Sequence, residues 1–163
     1  MNVYAGYDRA NWTKVPIDAL ITSGLHNCMA VAGFNSVSGL RILAHYDTLN
    51  CIYKGVINTS ELQAFKIWIT NKINATQFVI RLGDVWEGNP GGVSPQAMAV
   101  ALNTIFQTNV DSGTYATTCI YDSTGIHSSN ATPDSWTPHS SDGEEIPYKK
   151  YPTGIIGTDC IIS

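Results

Sequence analysis

Two side chains in one short stretch, Cys28 and His45, could together do nucleophilic chemistry. A thiol becomes a strong nucleophile when a neighbouring imidazole takes its proton, and the same imidazole can return that proton to a leaving group. The stretch that holds them opens with Thr22-Ser23-Gly24-Leu25-His26-Asn27-Cys28. It continues through an apolar run from Met29 to Phe34, turn-forming Asn35-Ser36-Val37-Ser38, and a second run from Gly39 to His45. Two strand-forming runs about turn chemistry read as a β-hairpin. A symmetric turn pairs 34 with 39 and, carried outward, sets Cys28 directly opposite His45. Opposed residues share a face, with Cβ atoms about 4.5–5.5 Å apart. The same reading makes Gly24 the residue that allows a tight loop before the cysteine. The backbone N–H groups of Leu25 to Cys28 become oxyanion donors. Thr22, ending the preceding strand, can orient the imidazole as the third member of a triad.

The elements that must position these groups are legible around them. Asp18 to Thr22 reads as a short buried strand, and residues 1–17 as an irregular arm or edge strand. Residues 47–56 offer a strand about Cys51 to Tyr53. Ser60 and Gln63 form a capping box for a helix whose apolar face is Leu62, Phe65, Trp68, Ile69 and Ile73, with Asn74 as its stop. Gln77 to Leu82 is a strand, and 83–93 is a loop punctuated by Asn89-Pro90-Gly91-Gly92. Ser94 and Pro95 open a second helix through Met98, Ala101, Leu102, Ile105 and Phe106. Tyr115 to Tyr121 is a strand. Residues 122–145 read as a long polar loop, and Gly154 to Ile162 as a terminal strand. The pattern is a mixed α/β domain covering 1–163.

Composition narrows the class. The 163 residues suffice for one cored domain; 44% are hydrophobic and only 13% charged, against about 25% charged in an average soluble chain. A net charge of -4 with no basic cluster beyond Lys149-Lys150 argues against nucleic acid or an anionic membrane as partner. No run approaches the roughly 18 apolar residues of a membrane span. The first residues lack a signal peptide's basic start and apolar core, so the expected setting is cytoplasmic, reached without signal-dependent export. The four cysteines are 23, 68 and 41 residues apart, with no Cys-x-x-Cys, so reduced thiols are expected and a zinc site is not. No metal or cofactor is called for. Cys51, Cys119 and Cys160 read as core residues, and His127 and His139 as surface. Asp84 and Glu87 could line a cleft beside Trp86. Trp86 and Trp136 are the tryptophans placed to meet a substrate.

Thr22-x-Gly24-Leu25-x-x-Cys28, followed by Leu43-Ala44-His45, resembles the signature of the chemoreceptor glutamine deamidases. Those enzymes carry a Thr-Leu-Gly-Leu-Gly-Ser-Cys loop and a hairpin ending in Ala-His, and both intervals match here without a gap. The Leu-x-x-Cys plus His arrangement is also similar to bacterial toxins of the cytotoxic necrotising factor and Burkholderia lethal factor type. The resembling motif spans 24 of 163 residues. The family's Gly-Ser before the cysteine is His26-Asn27 in this chain, and its glycine-rich stretch has only Gly83 and Gly91-Gly92 as counterparts. These departures favour the toxin or effector branch. The resemblance implies a β-sandwich-like mixed sheet core flanked by helices. It also implies a Cys28-His45-Thr22 site that converts a glutamine of a folded partner protein, of a host or target cell in the toxin branch, to glutamate through a thioester. Gly24, Leu25, His26 and Asn27 then form the oxyanion and substrate loop. An amine acceptor in place of water would give transglutamination. A bacterial chemoreceptor glutamine deamidase, a cysteine protease or thioesterase using the same pair, and a non-catalytic protein-binding domain are the alternatives.

Overall fold

The computed structural model of the chain describes residues 2–110, 115–129 and 143–147. Eleven strands and two α-helices occur among them, so the mixed α/β class holds. In chain order the strands are β1 Asn2–Tyr4, β2 Arg9–Thr13, β3 Ala19–Ser23, β4 Cys28–Phe34, β5 Arg41–Asp47, β6 Ile52–Tyr53 and β7 Val56–Ile57. After helix α1 (Thr59–Ile73) come β8 Gln77–Leu82, helix α2 (Pro95–Phe106), β9 Thr118–Asp122, β10 Gly125–Ser129 and β11 Glu144–Glu145. Five strands form a wholly antiparallel sheet in the order β11-β2-β5-β4-β8. Four form a second sheet, β1-β3-β9-β10, in which only β1 and β3 run parallel. The pair β6-β7 is a small ribbon.

Alternation along the strands of the five-stranded sheet sorts its side chains to two faces. Met29, Val31, Ile42, Ala44, Tyr46, Ile80 and Leu82 face the helices and join Leu62, Phe65, Ile69, Met98, Leu102 and Phe106 in the larger core. Tyr46 stacks on Phe65 with ring centroids 4.3 Å apart, and Phe106 meets Phe78 edge-on at 5.2 Å. The opposite face, with Cys28, Ala30, Ala32 and Leu43, packs on Leu20 and Cys119 of the smaller sheet. The result is a layer of helices, then two stacked sheets. At one end Arg41 rivets the sheets together: Nη1 donates to the Tyr121 carbonyl at 3.0 Å, and Nη2 donates to those of Val15 at 3.0 Å and Asp18 at 2.7 Å.

Several boundaries differ from expectation for local reasons. Asn58, not Ser60, caps α1: its side chain accepts from the Glu61 N–H, because the helix begins two residues earlier. Asn74 ends it as expected, in the left-handed region at φ 53°. Ser94 and Pro95 open α2 as read, with the Ser94 side chain accepting from the Ala97 N–H. Within the arm, β1 is the expected short edge strand, but β2 lies inside the larger sheet, and its Asn11 caps the Tyr4 carbonyl from 3.1 Å. Residues 48–51 form a 3-10 turn before β6 rather than continuing a strand. Of the long loop expected over 122–145, residues 122–129 fold back in the β9-β10 hairpin, with β10 an edge strand whose last three residues are exposed, and residues 130–142 lie outside the described ones. The expected terminal strand at 154–162, with Cys160, lies outside the described residues, as do Trp136 and His139.

Candidate active site

The hairpin forms, with a register two residues away from the symmetric reading. Phe34 pairs with Arg41, so the connecting loop is 35–40, and Cys28 stands opposite Asp47 while His45 stands opposite Ala30. The longer loop is set by Asn35. Its Oδ1 accepts from the Val37 and Ser38 N–H groups, both at 2.9 Å, and its N–H closes on the Leu40 carbonyl. A shift of two keeps strand parity, so Cys28 and His45 remain on one face as diagonal neighbours. Diagonal Cβ atoms lie within about 7–8 Å, and in the structure no hydrogen bond joins the Cys28 sulfur to His45 Nε2.

Thr22 comes from β3, in the other sheet. Its hydroxyl donates its single proton to the Ala5 carbonyl at 2.8 Å and lies 2.8 Å from His45 Nδ1. With that proton committed, the second contact requires Nδ1–H to donate to Thr22 Oγ1. The neutral ring therefore carries its lone pair on Nε2. Nε2 is fully buried and has no hydrogen-bond partner among the described residues. It is a base held in one tautomer with nothing to accept from. Thr22, His45 and Cys28 are 0%, 2% and 2% exposed.

The loop before the cysteine is tied down by its carbonyls. Cys28 C=O accepts from Gly83 N–H at 2.9 Å, Leu25 C=O from Asp84 N–H at 3.3 Å, and His26 C=O from Val85 N–H at 3.2 Å. The Asn27 carbonyl takes the Trp86 indole N–H at 3.3 Å and the Thr48 hydroxyl. In a trans peptide the N–H points opposite to the carbonyl of the same plane. The N–H groups of His26, Asn27 and Cys28 thus face away from these anchors, and the His26 N–H is near enough to the Cys28 sulfur to favour its thiolate. Leu25 drops out of the expected donors, because its N–H is taken by the Thr117 carbonyl at 3.1 Å. Gly24 has φ +70°, the left-handed turn that its position called for.

Gly83 has a different reason to be glycine. Its φ is ordinary, but a Cβ there would overlap the His26 carbonyl oxygen and come within 2.8 Å of the Leu25 carbonyl carbon. Trp86, expected as a substrate contact, is instead fully buried beneath the loop. Asp84 Oδ1 lies 2.8 Å from Nδ1 of the exposed His26 ring, and the Glu87 side chain lies outside what the structure describes.

Three site residues carry no signal in the local sequence: Tyr7, Asp8 and Asp47. The Tyr7 ring meets the His45 ring edge-on at a centroid distance of 5.5 Å, and its hydroxyl donates to Asp47 Oδ2. Asp47 Oδ1 accepts from Asn27 Nδ2 at 2.5 Å and from the Leu49 N–H at 3.0 Å. Asp8, in a left-handed turn at φ 51°, accepts the Asp47 N–H on Oδ1 at 2.9 Å.

Burial governs the protonation of the pair. It raises the Cys28 thiol well above the ordinary range, reinforced by the Asp47 and Asp8 carboxylates and opposed by the His26 N–H. Burial, with the charge of His26 as a smaller cause, lowers His45 from 6.5 to about 4. The pair rests as thiol and neutral imidazole, so the sulfur's proton passes to Nε2 as attack begins. A linkage follows. The unfolded chain takes up His45's proton near 6.5 and the folded chain only near 4, so stability is full above 6.5 and declines as pH falls between those values. The loss at its end is on the order of 3 kcal/mol. Urea unfolding at pH 7 and at pH 4.5 checks it, since His45→Gln should flatten much of the difference.

Cys28, Cys51 and Cys119 are free thiols, and burial raises Cys51 to about 12 and Cys119 to about 11. Among the described residues no His, Cys, Asp and Glu cluster is arranged to hold a metal ion. Among them, too, no helix is long and apolar enough to cross a membrane. No family model matches the chain, and no curated protein or solved structure is detectably similar to it.

Proposed function

We propose that this chain is a protein-glutamine deamidase of the toxin or effector kind, acting on a folded partner in the cytoplasm of a target cell. The observation that carries the reading is the buried relay Ala5 C=O, Thr22, His45. It presents the Nε2 lone pair on the face that holds Cys28. The motif resemblance supplies the reaction, and the resembling residues Thr22, Cys28 and His45 converge in space from two sheets.

In this mechanism the Cys28 thiol gives its proton to His45 Nε2 as sulfur bonds to the amide carbon of the glutamine side chain. The N–H groups of His26 to Cys28 receive the developing oxyanion. His45 returns the proton to nitrogen, the C–N bond breaks, and ammonia leaves a thioester. Water, deprotonated by His45, then adds to the acyl carbon; the C–S bond breaks and the thiol is restored. The sum is carboxamide plus water to carboxylic acid plus ammonia. No metal or cofactor takes part in these steps.

A binding domain with an inert core thiol is the contrary reading, and the burial of Cys28 is what favours it. Incubation with a lysate from candidate target cells, followed by ammonia assay and peptide mass analysis, decides between them. Deamidation adds about one mass unit at a single glutamine, with intact backbone, and disappears in Cys28→Ser. Cleaved backbone would point to a protease. An unchanged proteome together with an unreactive Cys28 would sink the enzyme reading.

A further inference from the structure

We propose that Asp47 is the specificity-determining residue of this site, the acceptor that recognises the NH2 of a primary carboxamide, with Tyr7 as its displaceable cover. The inference rests on the reading of Cys28 as nucleophile and adds what that nucleophile admits.

Asp47 is the direct cross-strand partner of Cys28, so its side chain shares the face of the thiol at the separation of an opposed pair. His45, two residues earlier on β5, projects from the same face with its Nε2 buried and unpartnered among the described residues. The two oxygens of Asp47 are held differently. Oδ1 is locked by two donors of the site's own framework, Asn27 Nδ2 and the Leu49 N–H. Oδ2 is held by the hydroxyl of Tyr7, a residue 58% exposed on the turn that Arg9 N–H closes onto Gly6 C=O. An exposed side chain can swing out and leave that oxygen to an incoming donor. The framework donors keep the carboxylate in place when it does.

The site thus offers loop donors and a carboxylate acceptor beside the sulfur. The donors are the N–H groups of His26 to Cys28, which face away from the loop's anchored carbonyls. A carboxamide satisfies both, with its oxygen toward the loop and its NH2 toward Asp47 Oδ2. A carboxylate has no proton for Asp47, and it sets like charge against Asp47 and Asp8. An ester likewise lacks the N–H. The substrate class is therefore a primary amide, and the acid product is expelled by the charge that helped to place its precursor.

Two reagents of near-identical size test this on the full chain: iodoacetamide, which carries the carboxamide, and iodoacetate, which carries the carboxylate. Modification at Cys28 is followed by peptide mass, and the rate ratio is compared with that of Cys28 in urea-unfolded chain. The folded protein should favour iodoacetamide by about tenfold more than the unfolded chain does. Asp47→Asn should bring the ratio close to the unfolded value. Tyr7→Phe should keep the preference and speed iodoacetamide several-fold, and it serves if Asp47→Asn fails to fold. A folded ratio equal to the unfolded one overturns the proposal. Inertness of folded Cys28 to both reagents overturns it together with the nucleophile reading. A strong preference in a protein that releases no ammonia leaves Asp47's role standing and removes the deamidase alone.

Discussion

Replacing Gly83 by alanine should dislocate the nucleophile loop, lowering both stability and the reactivity of Cys28. The added Cβ meets backbone, not a flexible side chain: the His26 carbonyl and the Leu25 carbonyl carbon. Relief requires the 25–28 loop and the 83–86 turn to separate. That movement strains the bonds from Gly83, Asp84 and Val85 N–H to the loop carbonyls. Overpacking of this kind typically costs about 1–3 kcal/mol, and backbone contact places it at the upper end. The effect on chemistry is larger still, because a displacement of about 1 Å at a reacting atom costs on the order of a hundredfold in rate. Gly88→Ala is the control, as nothing lies within 4 Å of a Cβ built there. Thermal unfolding and the rate of Cys28 alkylation check the pair. Equal behaviour of the two variants would show that the loop does not depend on that close approach.

Thr22→Val should abolish most catalysis while leaving the fold in place. Valine matches the shape of threonine, so the buried site is not emptied. What is lost is the acceptor for His45 Nδ1–H and the donor for the Ala5 carbonyl. Each unsatisfied buried group costs about 1–3 kcal/mol, which the ring escapes by moving its proton to Nε2 or by turning. Either response removes the lone pair that must receive the Cys28 proton. A fall in kcat of about a hundredfold or more is expected, the size of a lost general base. Nitrogen NMR of the imidazole separates this role from mere packing: the parent should show Nδ1–H, and Thr22→Val a shift toward Nε2–H. Thr22→Ser, which keeps the hydroxyl, should restore both tautomer and rate.

The hairpin was readable because its signals are local. Met29 to Phe34 and Arg41 to His45 are apolar runs about a polar turn, and strand parity carried the shared face through an error of two in register. The length of the turn was not readable. It is fixed by the Asn35 side chain, which also donates to the Ile73 and Asn74 carbonyls at the end of α1, a contact distant in sequence. The same limit hid Tyr7, Asp8 and Asp47, whose roles arise when the turn after β1 meets the end of β5. Trp86 misled because a tryptophan in a Gly-rich loop reads as exposed, whereas this loop folds under the cysteine. β10 was invisible for an opposite reason. An edge strand with Ser128 and Ser129 in solvent needs no apolar alternation, so only the turn residues before Gly125 announced it.

The relay that fixes the imidazole crosses a seam. His45 belongs to the five-stranded sheet, while Thr22 and its neighbour strand β1 belong to the four-stranded one. Arg41 clamps that seam at the far end of β5 from Asp47, while the end bearing the thiol is held by the Thr22 hydroxyl, by apolar contact and by the backbone bonds Ala116 N–H to Leu82 C=O and Leu25 N–H to Thr117 C=O. Each sheet could keep every rung of its own ladder while the two part slightly at this end. The His45 tautomer would then be lost before any strand was. Chemical competence in this molecule is thus a property of how two layers are pressed together, more delicate than the folding of either.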